Sequence, residues 1–314
     1  MPNNIEYAKI FNTELDKQMV PLLVTGWMEQ NAGLVKYTGG DEAKIPSIAM
    51  DGLGDYNRAT GYPEGSASLT YQTVKLTKDR AQGFNFDAME VDESNFLFTA
   101  GNIMGEFQRT RVVPEVDAYR ISKISALAGA NVREYTPAAA SVFKELLADI
   151  GAVQDQIGDS EPLIIMMAIP VCTMLSQSSE LSKKLDVTDF AQGGITTKVR
   201  SLDGIPILRV PSTRMKSKYV FYDGRTASDG ASTNPTPNQL VGGFAAAAGA
   251  ANINWIILHK SAPIAVCKTD VTRVFDPTTY QKANAWHVDY RKFHDLWIPN
   301  NRLPGVFVNR KAAT

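Results

Sequence analysis

Apolar residues recur at helical spacing at Ile5, Ala8, Phe11, Leu15 and Met19, and Pro21 closes the run. This predicts an amphipathic helix over residues 5 to about 20. The pattern then changes. Ile45, Ile48 and Met50 fall in one extended run, and Leu69 to Thr77 form another, rich in Thr, Tyr and Val. Between them Gly52, Gly54, Gly61, Gly65 and Pro63 mark a turn-rich tip. Both faces of the second run read as mixed, with Tyr71, Thr73 and Lys75 on one and Gln72 and Val74 on the other. The tip shows no apolar cluster. A two-stranded ribbon of this kind is marginal alone in water. The sequence therefore predicts an arm that finds its contacts on another molecule, with a hairpin folded back on its own domain as the alternative.

Helical periodicity resumes with Asp92 or Ser94 as N-cap and an apolar stripe of Phe96, Ala100, Ile103, Met104 and Phe107. Arg109 and Arg111 suit the C-terminal end of its dipole. Pro114 is expected to open a second helix, with Glu115 and Asp117 early and Arg120 and Lys123 late. Downstream the pattern predicts a helix from Thr136 to Ile157, a buried strand from Leu163 to Ile169 and a helix from Pro170 to Leu185. Two strands follow around Asp203-Gly204 within Thr196 to Val210, a hairpin signal. Residues 223–239 read as a surface loop, Ala245 to Ala251 as a short helix and Asn254 to Leu258 as a strand. Segments 264–275 and 284–298, rich in aromatics, complete the order. It is a mixed α+β order without βαβ alternation or internal repeat.

Composition narrows the function classes. The 314 residues are 44% hydrophobic and 21% charged, enough for a sizeable core. A net charge of -1 argues against a dedicated nucleic-acid binder. Cys172 and Cys267 stand in apolar surroundings and read as buried thiols. The first residues lack the basic and apolar regions of a secretory signal, and no apolar run reads as a membrane span. An enzyme needs converging groups, and none converge in the sequence. His259, His287 and His294 have no Cys or paired carboxylates at ligand spacing. Asp51 and Asp55 lack the rest of a calcium loop. Gly242-Gly243 with Gly249 is not a dinucleotide fingerprint, and no nucleophile elbow occurs. No cofactor, metal or catalytic residue is expected.

Three stretches carry a resemblance: Lys78-Asp79-Arg80 through Phe84-Asn85-Phe86-Asp87, the helix ending Phe107-Gln108-Arg109, and Pro114 through Arg120. Phe275-Asp276-Pro277, Ala285-Trp286, Tyr290-Arg291 and Asp295-Leu296-Trp297 support it. The chain resembles the tailed-bacteriophage major capsid proteins, whose fold encapsulin shells share. The resemblance implies an α+β capsid fold divided into an N-terminal arm (1–33), an extended loop (34–86), a peripheral domain with a spine helix (87–135 and 264–314) and an axial domain (136–263). It implies hexamers and pentamers closing into an icosahedral virion shell around double-stranded DNA, built in the bacterial cytoplasm. Scaffolding, portal and decoration proteins are further partners it suggests; a membrane is not. Some shells of this family weld neighbours through a Lys–Asn isopeptide bond. Lys36, Lys44 and Lys75, with Asn284, Asn300 and Asn301, supply the residue types, and nothing in the sequence pairs them. Lys44, Asp51, Asp55, Arg58, Glu64 and Lys75 are the candidate inter-subunit contacts. A nanocompartment shell holding protein cargo, or a soluble α+β hydrolase, are the alternatives.

Overall fold

The computed structural model describes residues 23–39, 42–59, 61–87, 104–178, 185–192, 195–228, 238–280, 282 and 284–312. The predicted helix at 5–20 and the residues Asp92 to Ile103 of the predicted spine helix lie outside them. The arm comprises β1 (Lys36–Gly39), β2 (Glu42–Met50) and β3 (Ala67–Lys75), and β4 (Lys78–Asp87) follows. A helix α1 (Val113–Leu127) leads to β5 (Val132–Glu134), α2 (Val142–Ile157), β6 (Leu163–Ala168) and α3 (Ile169–Gln177). Then come β7 (Leu185–Gln192), β8 (Ile195–Leu202), β9 (Ile205–Val210), β10 (Tyr219–Phe221) and β11 (Phe244–Ala246). The chain ends with β12 (Ile253–His259), β13 (Ile264–Phe275), β14 (Ala285–Trp297) and β15 (Val306–Arg310).

A seven-stranded sheet of order β5-β15-β12-β6-β9-β8-β7 holds the main core. All six residues of β6 are buried, which is what a near-continuous apolar run flanked on both sides requires. The helix α2 covers the sheet with Val142, Phe143, Leu146, Ile150 and Val153, a stripe at helical spacing. Under it the Asp149 carboxylate accepts hydrogen bonds from Trp255 Nε1 at 2.9 Å and Asn309 Nδ2 at 2.8 Å. These bonds satisfy polar groups that burial would otherwise penalise. The strand β15 sits between β5 and β12, so the last strand joins this sheet. The sequence had placed all of 264–314 with the other layer.

That other layer is a three-stranded antiparallel sheet, β13-β14-β4, with α1 laid against it. Met104 to Phe107 are helical, Gln108–Val112 form a π-helical turn, and α1 continues without interruption. The expected break at Pro114 is absent. Proline cannot donate to the carbonyl four residues back, and its ring crowds that carbonyl. The wider π turn just before it accommodates this, the Val113 N–H reaching back five residues to the Gln108 carbonyl.

Other boundaries also differ. The helix expected from Thr136 begins at Val142, after a turn at 139–141. The helix expected to reach Leu185 ends at Gln177, and Leu185–Gln192 is a strand that the sequence reading missed. The short helix expected at Ala245 to Ala251 is instead strand β11 followed by a turn. Small residues there gave a helical propensity that pairing with β10 overrides. The Asp203-Gly204 turn is as expected, with φ of 49° and 79° respectively.

Segment 23–34 is bound to α1 through buried charge. Asp117 is fully buried and accepts from Thr25 Oγ1 at 2.8 Å, Thr25 N at 3.1 Å and Arg214 Nη1 at 2.9 Å. Burial pushes its carboxyl up, against the pull of Thr25 and Arg214. Arg120, also fully buried, donates to the Thr25 carbonyl and to Glu29 at 2.5 Å. Asp117→Ala leaves Arg214 and the Thr25 amide without their acceptor, and a loss of about 3–5 kcal/mol is expected in denaturant titration. The Asp117→Leu, Arg214→Leu pair should lose less than Asp117→Ala alone. An equal or larger loss would show that packing, and not charge pairing, governs the site.

Candidate assembly surface

The arm is rooted in a core of its own kind. Val35, Ala43, Ile45, Leu76, Ile264, Val266, Phe293 and Trp297 pack together where β2 and β3 leave the body. The root is also hydrogen-bonded. Asp295 has no exposed surface and accepts from Thr77 N and Oγ1, both at 2.9 Å, and from Tyr119 Oη at 2.8 Å. Lys123 of α1 completes its shell with an ion pair. A buried carboxylate so bonded is well satisfied.

The aromatic trio expected to form a single cluster divides. Tyr290 packs with Met104, Val288 and Phe107, and Trp286 packs beside them. Trp297 lies in the arm-root cluster instead. Residues 286, 288 and 290 share one face of β14, and an odd offset puts 297 on the other, because strand side chains alternate.

Beyond the root, β2 and β3 form a regular ribbon with Pro46 opposite Tyr71, Ile48 opposite Leu69 and Met50 opposite Ala67. Directly opposed residues share a face. One face of the distal ribbon is therefore apolar, and it is open to solvent: Met50 is 73% exposed, Ile48 59% and Leu69 55%. The other face carries Ser47 with Thr70 and Ala49 with Ser68. The expectation that both faces are mixed is corrected by this register. Adjacent residues in one strand had been compared without knowing which lay opposite. The tip is corrected too. Leu53, Tyr56 and Tyr62 are exposed there, with the two tyrosine rings 5.1 Å apart. Gly61, at φ 83°, closes the turn onto Asn57, a conformation suited to glycine.

The six candidate contact residues separate into two groups. Lys75 pairs with Glu42 of its own ribbon at 3.3 Å, and Asp51 accepts from the Ser66 N–H at 2.7 Å, so both serve the arm itself. Asp55, Arg58 and Glu64 are exposed at the tip, Lys44 is half-buried near the root, and none has an ion-pair partner among the described residues. The apolar face was the feature missed. Its signal was the alternation Pro46, Ile48, Met50, legible only once the register is known.

Comparison with solved structures places this geometry. A structure from Gordonia phage Cozz superposes with a TM-score of 0.57 at 15% identity, over 91% of this chain and 87% of that one. The mature capsid of bacteriophage PhiM1 gives 0.55 at 11% identity, over 87% and 82%. The capsid of cyanophage P-SCSP1u gives 0.53 at 11% identity, over 89% and 86%. The fold is the phage major capsid fold. No family model matches the sequence, and no curated protein matches it. Within the capsid fold, the arm is the element with least contact to its own body. No helix among the described residues is long and apolar enough to cross a membrane.

On the body side of the arm root, His294 lies in β14 beside Tyr119, with ring centroids 5.4 Å apart. Burial, and then Arg120, Lys292, Lys78 and Lys123, hold its pKa well below the usual 6.5. Lys78 stands 3.3 Å from the Phe221 ring centroid, and burial with nearby Arg80 lowers it to about 8. A neutral folded imidazole binds fewer protons than the unfolded one. Its contribution to stability is complete above 6.5 and is lost as pH falls below 6.5 toward the folded value. Each pH unit in that window should cost up to ~1.4 kcal/mol. His294→Gln should flatten the acid side of the stability–pH curve relative to the parent. Parallel curves for the two proteins would mean that carboxylates alone set the slope.

Proposed function

We propose that this chain is the major capsid protein of a bacteriophage, a structural subunit that assembles into an icosahedral shell enclosing double-stranded DNA. One observation carries the proposal. An arm held firmly at its root projects an apolar face that its own subunit leaves bare. Exposed contiguous apolar surface of this sort marks an interaction site. The capsid fold of the chain supports the same conclusion. The role is assembly into pentamers and hexamers, in which individually modest contacts, repeated by symmetry, make a stable particle.

The arm rests its apolar face on an adjacent subunit. Lys44, Asp55, Arg58 and Glu64 flank the contact with charge, each pair worth little alone. The packaged DNA is held without sequence recognition, through phosphates, so its contacts weaken with salt. Scaffolding, portal and decoration proteins complete the particle in the host cytoplasm.

The test is electron microscopy of the expressed protein with measurement of nuclease-protected DNA in particles made during infection. Closed shells containing DNA are expected. Shells that hold protein and exclude DNA, or a small soluble oligomer with turnover, would overturn the reading. Ile48→Asp with Leu69→Asp should leave a soluble subunit of parental circular dichroism that no longer closes shells. Replacing residues 51–66 with a short Gly-Ser linker should do the same or leave the shells fragile. If either variant builds particles of parental stability, the arm is not the clasp between subunits.

A further inference from the structure

A cleft of about 260 Å³ opens beside α1, away from the arm. Its walls are apolar, from Phe84, Phe107, Val112, Val116, Val241 and Tyr290. Val241 is 85% exposed. Arg80 holds the cleft together: it donates to Glu115 at 2.6 Å, to the Tyr222 carbonyl at 2.6 Å and to the Gly243 carbonyl at 3.2 Å. At the rim, exposed Arg111 meets no carboxylate among the described residues.

The path of the chain identifies what fills it. Glu29 meets Arg120, Thr25 meets Asp117, and Leu23 packs with Val113 and Val116, with Val112 beside them. Residue numbers fall together on both sides, so segment 23–29 runs parallel to α1. Followed upstream, the chain heads toward Val112 and Phe107, along the cleft wall. Met19 is four residues from Leu23, within ~14 Å even for extended chain. The sequence upstream carries an apolar stripe, Phe11, Leu15 and Met19, with nothing in the described body assigned to cover it. Eight residues of helix span ~12 Å, and Phe107 to Val116 span ~14 Å along their own helix. Glu14 and Asp16 flank the stripe, where Arg111 waits at the rim.

We infer that the cleft is the seat of the chain's own N-terminal segment, with Phe11, Leu15 and Met19 buried against α1 and the Val241 loop of the same subunit. The occupant bridges α1, the three-stranded sheet and the loop that Arg80 ties to them. It thus clamps the two halves of the subunit independently of the arm.

The test uses the full chain, and its result does not depend on shell assembly. Leu15→Cys with Val241→Cys should form an intramolecular disulfide under mild oxidation, seen as a reducible mobility change of the single chain. Thr13→Cys with Val241→Cys, on the opposite helix face, should cross-link at least tenfold more slowly. Equal rates for the two pairs, no cross-link, or a cross-link between two chains would each overturn the inference. A second measurement covers the case in which the paired variant fails to fold. Phe11→Asp should raise binding of an apolar-surface dye severalfold, and Thr13→Asp should leave it at the parental level. Parental dye binding in Phe11→Asp would also overturn it.

Discussion

The Asp295 carboxylate is the joint on which the molecule turns. It lies at the end of β14, without exposed surface, and binds the root of the arm through Thr77 and the helix α1 through Tyr119 and Lys123. An arm lacking a core can hold a direction only if its root is fixed. Two extended strands would otherwise swing about the Leu76–Thr77 step. Four donors converging on one desolvated carboxylate resist that motion, because each is charge-assisted or buried and all would be lost together. The apolar cluster around Trp297 completes the anchor from the other face of the same strand.

The same strand links the arm to everything else. β14 pairs along its length with β13 on one side and β4 on the other. Its even-numbered residues Trp286, Val288 and Tyr290 meet the helical turn at Met104 and Phe107. Its odd-numbered residues Phe293 and Trp297 meet the arm root. A single strand thus presents one face to the helix and the other to the arm. The buried pairs Asp117–Arg214 and Arg120–Glu29 extend the connection to segment 23–34 and to the 3-10 turn at Ser212–Arg214. Buried charge is weak as a source of stability but strict about geometry, since either partner alone is costly. That strictness suits a subunit whose parts must keep fixed angles.

Much of this was legible from the chain. The arm, its glycine-rich tip, the buried strand at Leu163 and the Asp203-Gly204 hairpin all follow from periodicity and turn chemistry. What escaped depended on partners distant in sequence. The apolar face of the ribbon exists only in the pairing of Ile48 with Leu69 and Pro46 with Tyr71, and no single strand displays it. The division of the aromatic trio depended on an odd offset along β14. Pro114 reads as a helix start, and tertiary packing of Val113, Val116 and Ile121 carries the helix straight through it. The strand Leu185–Gln192 was masked by a helical pattern inherited from the segment before it. Lys75 and Asp51 looked like candidates for a neighbour because their partners, Glu42 and the Ser66 amide, become adjacent only when the ribbon closes.

An exposed apolar ribbon is also a hazard, since unpaired strand edges and apolar faces invite unprogrammed association. The arm carries features that restrain it. Pro46 lies past the last β1 pairing, where one edge of β2 is open, and cannot offer an N–H there. The opposite face is hydroxyl-rich, with Ser47, Ser68 and Thr70, so only one side of the ribbon is adhesive. Asp55, Arg58 and Glu64 surround the tip with charge of both signs, which disfavours stacking of identical tips. Each device lowers affinity for a random partner more than for a surface of matching shape. A ribbon that is sticky on one face, blunt at its edge and charged at its end can wait, exposed, for a specific partner. The fixed root then sets the angle at which that partner must approach, which is how a local anchor at Asp295 becomes curvature in an assembly.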